Sequence, residues 1–512
     1  MKRLPTSVVC FVLASAAFAD TKPAAKPAAK TSDRLAATIE TILKRDVFTP
    51  ALVAIDIRDL DTGRVLYELN AAKNVKPAST MKLFTTAAIL DAEGPGSDRS
   101  THHAAVAEVM DSEGLEWRPT ATTVETVGRI DSSGRILGDV YLVGRGDPNL
   151  SDRIAWRNGK NPFDQLAVDL QAQGVTRIEG RLLGQDALFP DASIPDGWTV
   201  DDLVWSYGAE VSALSAFDSQ VDLSLEPGDL EGDPGRLTQW PETTFLRIEN
   251  RTVTAPQGTE QDLTLTRALG SRTIVLEGRI PRAGKKWAEG VATPEPALFA
   301  TTLFAEALQR HGISIADSVA VSRAALPKEV RPIASIRGPA IEDQIRFTNK
   351  ESQNLHAETL LRRLGLAVNG DASMASSLRA REAFLKAHDI RIADNVMHDG
   401  SGLSRGDLVT VRSLVDLLAF MAKHRLAKPF RDSLPIAGVD GTLRRRMIGT
   451  KAEGHVFAKT GSLSNVNALA GYIDTTGGRH LAFSIIVNNH TRPSREATQA
   501  VDEICALLAD LR

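Results

Sequence analysis

The stretch KPASTMKLFTTAAIL, residues 76–90, decides the fold more than any other part of the chain. A proline-led turn enters an apolar run that predicts a helix from about Ser79 to Asp91. The spacing of Ser79 and Lys82 places both side chains on one face of that helix. A serine hydroxyl becomes a good nucleophile beside a base, and a lysine amine with a lowered pKa can be that base. Taken alone, the pair is explained more simply as a capping serine and a solvated lysine.

A second short motif, Ser352-Gln353-Asn354, precedes another helical pattern. A serine at this place can relay a proton between a lysine and the amine that leaves. The amide of Asn354 can bind a lysine and a substrate amide together, because it carries both an acceptor and donors. By itself this motif also fits a surface turn or a helix cap.

A third motif, Lys459-Thr460-Gly461-Ser462, lies on a predicted strand. Lys459 supplies a positive charge for a substrate carboxylate, and Thr460 supplies a hydroxyl donor. Gly461 removes the side chain that would block a substrate lying along the strand. The backbone N–H of Ser462 can pair with that of Ser79 to form an oxyanion hole. An ordinary exposed strand end is the alternative.

The order of the three motifs is more specific than any one of them, because Ser-x-x-Lys, Ser-x-Asn and Lys-Thr-Gly recur together in penicillin-recognising serine enzymes. The sequence resembles the class C low-molecular-mass penicillin-binding proteins, the D-alanyl-D-alanine carboxypeptidase/endopeptidase family, over nearly the whole mature chain. The segments that carry the resemblance are KPASTMKLFTTAAIL, VGRGDPNLS, GWTVDDLVWSYGAEVSALS, NKESQNLHAETLL, DGSGLSR and AKTGSLSNVNALAGYI.

This resemblance implies the serine β-lactamase/transpeptidase fold and a role for each motif residue. The family's nucleophile corresponds to Ser79, its base to Lys82, and its relay pair to Ser352 and Asn354. The carboxylate site corresponds to Lys459 and Thr460. The family also has an acidic residue in its insertion that faces the substrate's cationic side chain, and Asp186 is our candidate for it. The resemblance implies neither a cofactor nor a metal.

Alternating apolar residues predict an antiparallel five-stranded sheet made from both ends of the chain. Two strands are expected near the start and three near the end, at residues 53–57, 64–69, 455–463, 468–474 and 481–488. Helices at the two termini would cover one face of this sheet. The fold class is therefore α/β (α+β), with an antiparallel sheet flanked by helices.

Residues 93–295 have a different character, with short β-like runs separated by turns and all 6 tryptophans of the chain. We expect one or more β-rich inserted domains here. The catalytic domain would then be discontinuous, formed by residues 32–92 and 296–512, a plausible size for one unit.

The first residues are typical of an export signal. Residues 1–19 combine Lys2 and Arg3 with a short apolar run that ends Ala17-Phe18-Ala19, which predicts a signal peptide. Residues 20–31 are a low-complexity tether. We therefore expect a periplasmic protein with no stable membrane span, soluble or peripherally associated.

Composition excludes several other classes of function. With 60 basic and 64 acidic side chains, the formal net charge is −4, so a nucleic-acid-binding role is not expected. The 2 cysteines, Cys10 and Cys505, rule out a disulfide framework and a cysteine-ligated zinc site. A match to the nucleophile-elbow pattern at residues 402–406 lacks the strand and helix that this motif requires.

The sequence thus predicts an exported serine DD-peptidase, a hydrolase that acts on peptidoglycan stem peptides through an acyl-enzyme on Ser79. It would remove the terminal D-Ala, cleave D-Ala–diaminoacyl cross-links, or do both, and β-lactams would inhibit it covalently. A β-lactamase or esterase on the same scaffold remains the main alternative, and a non-catalytic cell-wall-binding protein is a third. The oligomeric state does not follow from the sequence.

Overall fold

A computed structural model describes residues 28–94, 120–153 and 159–512. Its helices are α1 Ala28–Ile42, α2 Lys82–Glu93, α3 Pro162–Ala172, α4 Pro296–Arg310, α5 Ile341–Lys350, α6 Asn354–Asn369, α7 Met374–Ala387, α8 Val411–Met421, α9 Ala427–Asp432 and α10 Ser494–Ala509. Its strands are β1 Leu52–Asp59, β2 Val65–Leu69, β3 Thr120–Thr126, β4 Arg135–Ile136, β5 Val140–Gly144, β6 Arg177–Ile178, β7 Leu182–Gln185, β8 Gln220–Glu226, β9 Arg236–Trp240, β10 Arg247–Ala255, β11 Asp262–Arg267, β12 Thr273–Pro281, β13 Trp287–Ala292, β14 Ser314–Ile315, β15 Val319–Ser322, β16 Arg331–Arg337, β17 Val456–Leu463, β18 Val466–Asp474 and β19 His480–Asn488.

The two ends of the chain meet in one antiparallel sheet with the strand order β17-β18-β19-β1-β2. In the centre of this sheet, Ile55 of β1 lies opposite Ile485 of β19. At one edge, Gly461 of β17 lies opposite Ala468 of β18. The sheet confirms the predicted fold class, a mixed α/β domain built around five antiparallel strands.

Alternation along the strands gives the sheet two different faces. Ile55 and Ile485 pack into a core that includes Ile39 of α1 and Ile504 of α10, so the terminal helices cover this face as predicted. Burying each such side chain contributes roughly 1.5–3 kcal/mol. The other face carries small residues: Ala54, Ala468, Ala470 and Ala482. The core on that side encloses α2, whose residues 82–90 are all buried.

The β-rich region has a core of its own and a second five-stranded sheet, in the order β15-β7-β5-β3-β16. The insertion is expected to end at residue 295, but elements that follow this residue belong to the same sheet and core. Phe299 and Phe304 of α4 belong to the same core as Phe163 of α3, and β15 and β16 complete the sheet. The helix α4 follows residue 295, and its apolar face packs on the insertion. We propose that the insertion extends from about residue 93 to about residue 338.

Buried polar contacts join the insertion to the catalytic domain next to α6. His356 Nε2 lies 2.8 Å from Asp218 Oδ1, and Trp198 Nε1 donates to Asp399 Oδ2 at 3.0 Å. Arg362 of α6 forms an ion pair with Asp191. Because α6 begins at Asn354, these contacts fix the helix that carries the second motif.

The expected signal peptide, residues 1–19, lies outside the described residues, as do residues 20–27 of the expected tether. The helix α1 begins at Ala28, inside the expected tether. Alanine favours helix, which explains why the helix extends into this segment. Within the described ranges, every helix is too short or too polar to cross a bilayer.

Candidate active site

The turn that carries Ser79 is a short 3₁₀ segment, Ala78–Met81, which continues directly into α2. Ala78 has a φ of +46°, a left-handed conformation that L-residues rarely adopt. Ser79 is partly exposed, whereas Lys82 is completely buried. The spacing of three residues brings Lys82 Nζ within 2.9 Å of Ser79 Oγ. The predicted nucleophile and base are therefore in hydrogen-bond contact.

Lys82 Nζ also contacts two further oxygens. Asn354 Oδ1 lies at 2.6 Å and the Ser401 carbonyl oxygen at 2.9 Å. Burial lowers the pKa of Lys82 to about 7, although the Asp399 and Glu358 carboxylates oppose this shift. An amine with this pKa is partly neutral near physiological pH, so it can accept the proton of Ser79.

The second motif lies where α5 ends and α6 begins. Ser352 has a φ of +61°, and its Oγ accepts a hydrogen bond from Lys459 Nζ at 2.8 Å. Asn354 connects three parts of the molecule, because its Oδ1 accepts from Lys82 while its Nδ2 donates to the Tyr207 carbonyl at 2.7 Å. The insertion therefore contributes a backbone group that orients a residue of the site.

The third motif lies on β17, the edge strand of the five-stranded sheet. An added Cβ on Gly461 would lie 2.8 Å from the Pro77 carbonyl oxygen, so glycine lets the strand pack against the nucleophile turn. The Ala458 N–H donates to Pro435 outside the sheet. Since alternate residues of a strand direct their N–H groups to the same side, the N–H of Ser462 also faces the outer edge. This direction suits an oxyanion hole.

Lys459 is completely buried at this edge, where its Nζ donates to Ser352 Oγ and to the Thr460 carbonyl, each at 2.8 Å. Burial lowers its pKa well below the ordinary value, and the charge of Lys82 adds to this shift. The Thr460 hydroxyl lies 2.8 Å from the Thr442 hydroxyl. A substrate carboxylate beside Lys459 would stabilise its charged form, so the geometry suits anion recognition.

Asp186, the remaining candidate, is not brought to this group. Its buried carboxylate accepts hydrogen bonds from Ser212 Oγ at 2.7 Å and from the Ala213 N–H at 3.0 Å. Arg323 pairs with its other oxygen at 3.1 Å. These partners all belong to the inserted region, and they satisfy the carboxylate. The expected contact with a cationic substrate side chain is therefore not supported, because Asp186 connects segments of the insertion instead.

Replacing Asp186 with asparagine should accordingly destabilise the protein and leave its substrate preference unchanged. Loss of charge-assisted hydrogen bonds of this kind costs about 1.5–3 kcal/mol. Thermal unfolding would measure the loss. A changed ratio of kcat/KM between peptides with a free and an acetylated side-chain amine would instead return Asp186 to the substrate site.

Two carboxylates near Lys82 were missed in the sequence. Glu358 and Asp399 are completely buried, and both bind the backbone of residues 399–404, which we call the Asp399 loop. The loop overlaps the segment at residues 402–406 that resembles a nucleophile elbow. Glu358 lies one helical turn after Asn354, which was the available signal, since residues four apart share a helix face.

Comparison with known proteins places the chain in a family. Residues 35–508 match the model of the D-Ala-D-Ala carboxypeptidase 3 (S13) family. The D-alanyl-D-alanine carboxypeptidase of Actinomadura sp. (strain R39) is 33% identical over 484 residues, which cover 92% of this chain and 84% of that protein. The D-alanyl-D-alanine carboxypeptidase DacB of Haemophilus influenzae is 23% identical over 447 residues, 86% of each protein.

A solved structure shares the fold. Penicillin binding protein 4 (dacB) from Haemophilus influenzae superposes with a TM-score of 0.76 at 20% identity, and covers 92% of this chain and 99% of that one. The predicted resemblance is thus confirmed, and the chain belongs to the D-Ala-D-Ala carboxypeptidase 3 (S13) family, whose members are class C low-molecular-mass penicillin-binding proteins.

Proposed function

We propose that the protein is an exported serine DD-peptidase that acts on peptidoglycan stem peptides, with Ser79 as nucleophile. It removes the terminal D-Ala, and the same chemistry cleaves D-Ala–diaminoacyl cross-links. The observation that carries the proposal is the contact of Lys82 Nζ with Ser79 Oγ at 2.9 Å, inside a site where burial makes Lys82 a usable base. The compartment is the periplasm, because residues 1–19 have the features of an export signal.

The proposed reaction has two halves. Ser79 Oγ attacks the carbonyl carbon of the D-Ala–D-Ala bond while Lys82 Nζ takes the hydroxyl proton. The N–H groups of Ser79 and Ser462 stabilise the oxyanion that forms. The C–N bond then breaks as Ser352 passes a proton to the leaving amine, which releases D-Ala and leaves an ester on Ser79. Water hydrolyses this ester and restores the serine.

β-Lactams acylate the same serine in this proposal, and the adduct should persist. Glu358 and Asp399 are the carboxylates whose charges act on Lys82, but both are bound to loop N–H groups. Both carboxylates are also completely buried, which leaves them poorly placed to activate a water for deacylation. This favours a peptidase over a β-lactamase.

Two measurements test the proposal together. Chromatography should detect free D-Ala released from a peptide that ends in D-Ala-D-Ala, and a labelled penicillin should remain bound over many turnover times of that peptide. Rapid loss of the label with release of hydrolysed drug would indicate a β-lactamase. Hydrolysis of simple esters without release of D-Ala would indicate an esterase.

Lys459 should determine the preference for a free substrate carboxylate. A charge-assisted hydrogen bond contributes about 1.5–3 kcal/mol, so the wild type should prefer a D-Ala-D-Ala acid to its amide by roughly ten- to a hundredfold in kcat/KM. Lys459→Ala should lose most of this preference, because activity on the acid falls further than activity on the amide. Steady-state kinetics with both peptides measures the ratio.

Ser352→Ala is the matched control, since Lys459 also donates to Ser352 Oγ. Loss of the relay alone should lower kcat/KM equally for the acid and the amide, so the preference for the acid should remain. If Lys459→Ala also slows both equally, Lys459 serves the relay and not the carboxylate. A wild type without any preference would contradict the carboxypeptidase activity.

A further inference from the structure

The Asp399 loop has an unusual arrangement, in which two buried carboxylates bind its backbone N–H groups. Glu358 Oε1 accepts from Gly400 N at 3.0 Å and from Ser401 N at 2.8 Å. Asp399 accepts from Gly402 N at 2.7 Å and from Ser404 N at 2.8 Å. Because the carboxylates hold the N–H groups of the loop on one side, the carbonyl groups of Gly400 and Ser401 face the opposite side.

Those carbonyl groups point at the helix that carries the base. The Ser401 carbonyl accepts from Lys82 Nζ at 2.9 Å, and the Gly400 carbonyl accepts from Thr85 Oγ1, one turn further along α2, at 2.8 Å. The loop also packs on the nucleophile turn, since an added Cβ on Gly402 would lie 1.9 Å from the Ala78 carbonyl oxygen. A change in the loop would therefore reach Lys82 directly.

The direction of the Ser401 carbonyl matters because of the hydrogens on Lys82. A neutral amine has two N–H groups and one lone pair. Asn354 Oδ1 and the Ser401 carbonyl lie at 2.6 and 2.9 Å from Nζ and can accept those two hydrogens. The lone pair then faces the third neighbour, Ser79 Oγ. This is the orientation that a base needs to take the serine proton.

We propose that Glu358 is a positioning residue, which acts through the Ser401 carbonyl to orient the neutral Lys82 amine towards Ser79. The inference deepens the proposed function and rests on Lys82 as the base. Glu358 has no role in it as a proton donor or acceptor for the substrate. Glu358 affects Lys82 in two ways. The loop geometry raises the rate because it orients the amine, whereas the negative charge lowers the rate because it favours the protonated amine.

Several charged groups face Glu358 and set its state. The groups whose charges interact with Glu358 are Asp399 of the loop, Arg362 of α6, Arg381 of α7 and Lys82 of α2. The charge of Asp407, which follows the loop, interacts in turn with Asp399 and Arg381. Burial and the Asp399 charge raise the pKa of Glu358, whereas the loop N–H groups and Arg362 oppose the shift. The N–H groups of Gly400 and Ser401 favour the ionised form, because both carboxylate oxygens then act as acceptors.

The test is the pH dependence of acylation by a labelled penicillin in Glu358→Gln. At high pH, where Lys82 is neutral, the rate should fall roughly tenfold, the size of one lost hydrogen bond. The acid limb should also move to lower pH by about half a unit to one unit, because a lost negative charge lowers the pKa of Lys82. Reduced folding alone would lower the rate without moving this limb.

Two variants complete the experiment. Glu358→Asp keeps the charge but shortens the reach, so its limb should stay in place while the high-pH rate per folded molecule falls. With the folded fraction measured by thermal unfolding, this variant also decides the question if Glu358→Gln does not fold. Glu93→Gln removes another buried carboxylate, one paired with Arg363, and should lower thermal stability only. An unchanged high-pH rate in both Glu358 variants, or an unmoved limb in a folded Glu358→Gln, overturns the proposal. Normal acylation by Lys82→Ala would instead contradict the base itself.

Discussion

Replacing Ser79 with alanine is expected to abolish the covalent adduct with penicillin completely. The adduct is an ester of the Ser79 oxygen, so no other change in the site can compensate for its loss. The protein should remain folded, since among the described residues the hydroxyl makes a single hydrogen bond, with Lys82 Nζ. Intact-mass spectrometry of the wild type should show the added mass of the drug, and the variant should show none.

Proteolytic mapping adds a second criterion. The modified wild-type peptide should contain Ser79 and not Ser404, the serine of the segment that resembles a nucleophile elbow. Ser494→Ala, at an exposed serine that starts α10, is the control and should keep the full adduct. An adduct that survives in Ser79→Ala would remove Ser79 from the mechanism.

Replacing Lys82 with alanine should slow acylation by about 10²–10⁴-fold, the usual contribution of a general base. In the wild type, the rate should rise as the pH increases through about 7, because Lys82 acts only after it has lost its proton. The variant should lack this rise. Stopped-flow fluorescence with a labelled penicillin, followed from pH 5 to 9, measures both the rate and its pH dependence.

The same substitution has a structural cost that must be measured separately. It leaves the Asn354 oxygen and the Ser401 carbonyl without the amine, at a cost of about 1–3 kcal/mol for a buried polar group. Thermal unfolding therefore belongs beside the kinetics. Lys73→Ala, at an exposed lysine, should change neither quantity. Acylation by Lys82→Ala at the wild-type rate would refute the role of Lys82.

Much of the site could be predicted because its chemistry depends on short spacings. A serine and a lysine three residues apart share one helix face wherever the helix packs, and the structure joins Ser79 to Lys82 accordingly. The sheet was predictable for a similar reason, since the alternation of Val53, Ile55 and Ile57 with polar or small residues is typical of a strand. The roles of the motif residues remain predictions.

Other features depend on packing between distant segments, which spacing does not reveal. Asp186 is acidic and lies in the insertion, but its carboxylate binds Ser212 and Arg323, which follow it by 26 and 137 residues. Glu358 has the spacing of an ordinary helical residue. Its contacts with the Asp399 loop exist only in the folded chain. The proposed boundary near residue 338 does not follow from spacing for the same reason, because α4 resembles a helix of either domain.

The contact between Asn354 and the Tyr207 carbonyl has a consequence for how the molecule unfolds. Together with the contacts of Trp198 with Asp399 and of His356 with Asp218, it makes the insertion and the catalytic domain share buried polar groups. Separating the two would leave each group unpaired, at about 1–3 kcal/mol apiece. The chain should therefore melt in a single cooperative transition, with equal calorimetric and van't Hoff enthalpies. A shortened chain without the insertion would lack the partner that orients Asn354, so excision of the insertion should disturb the site itself.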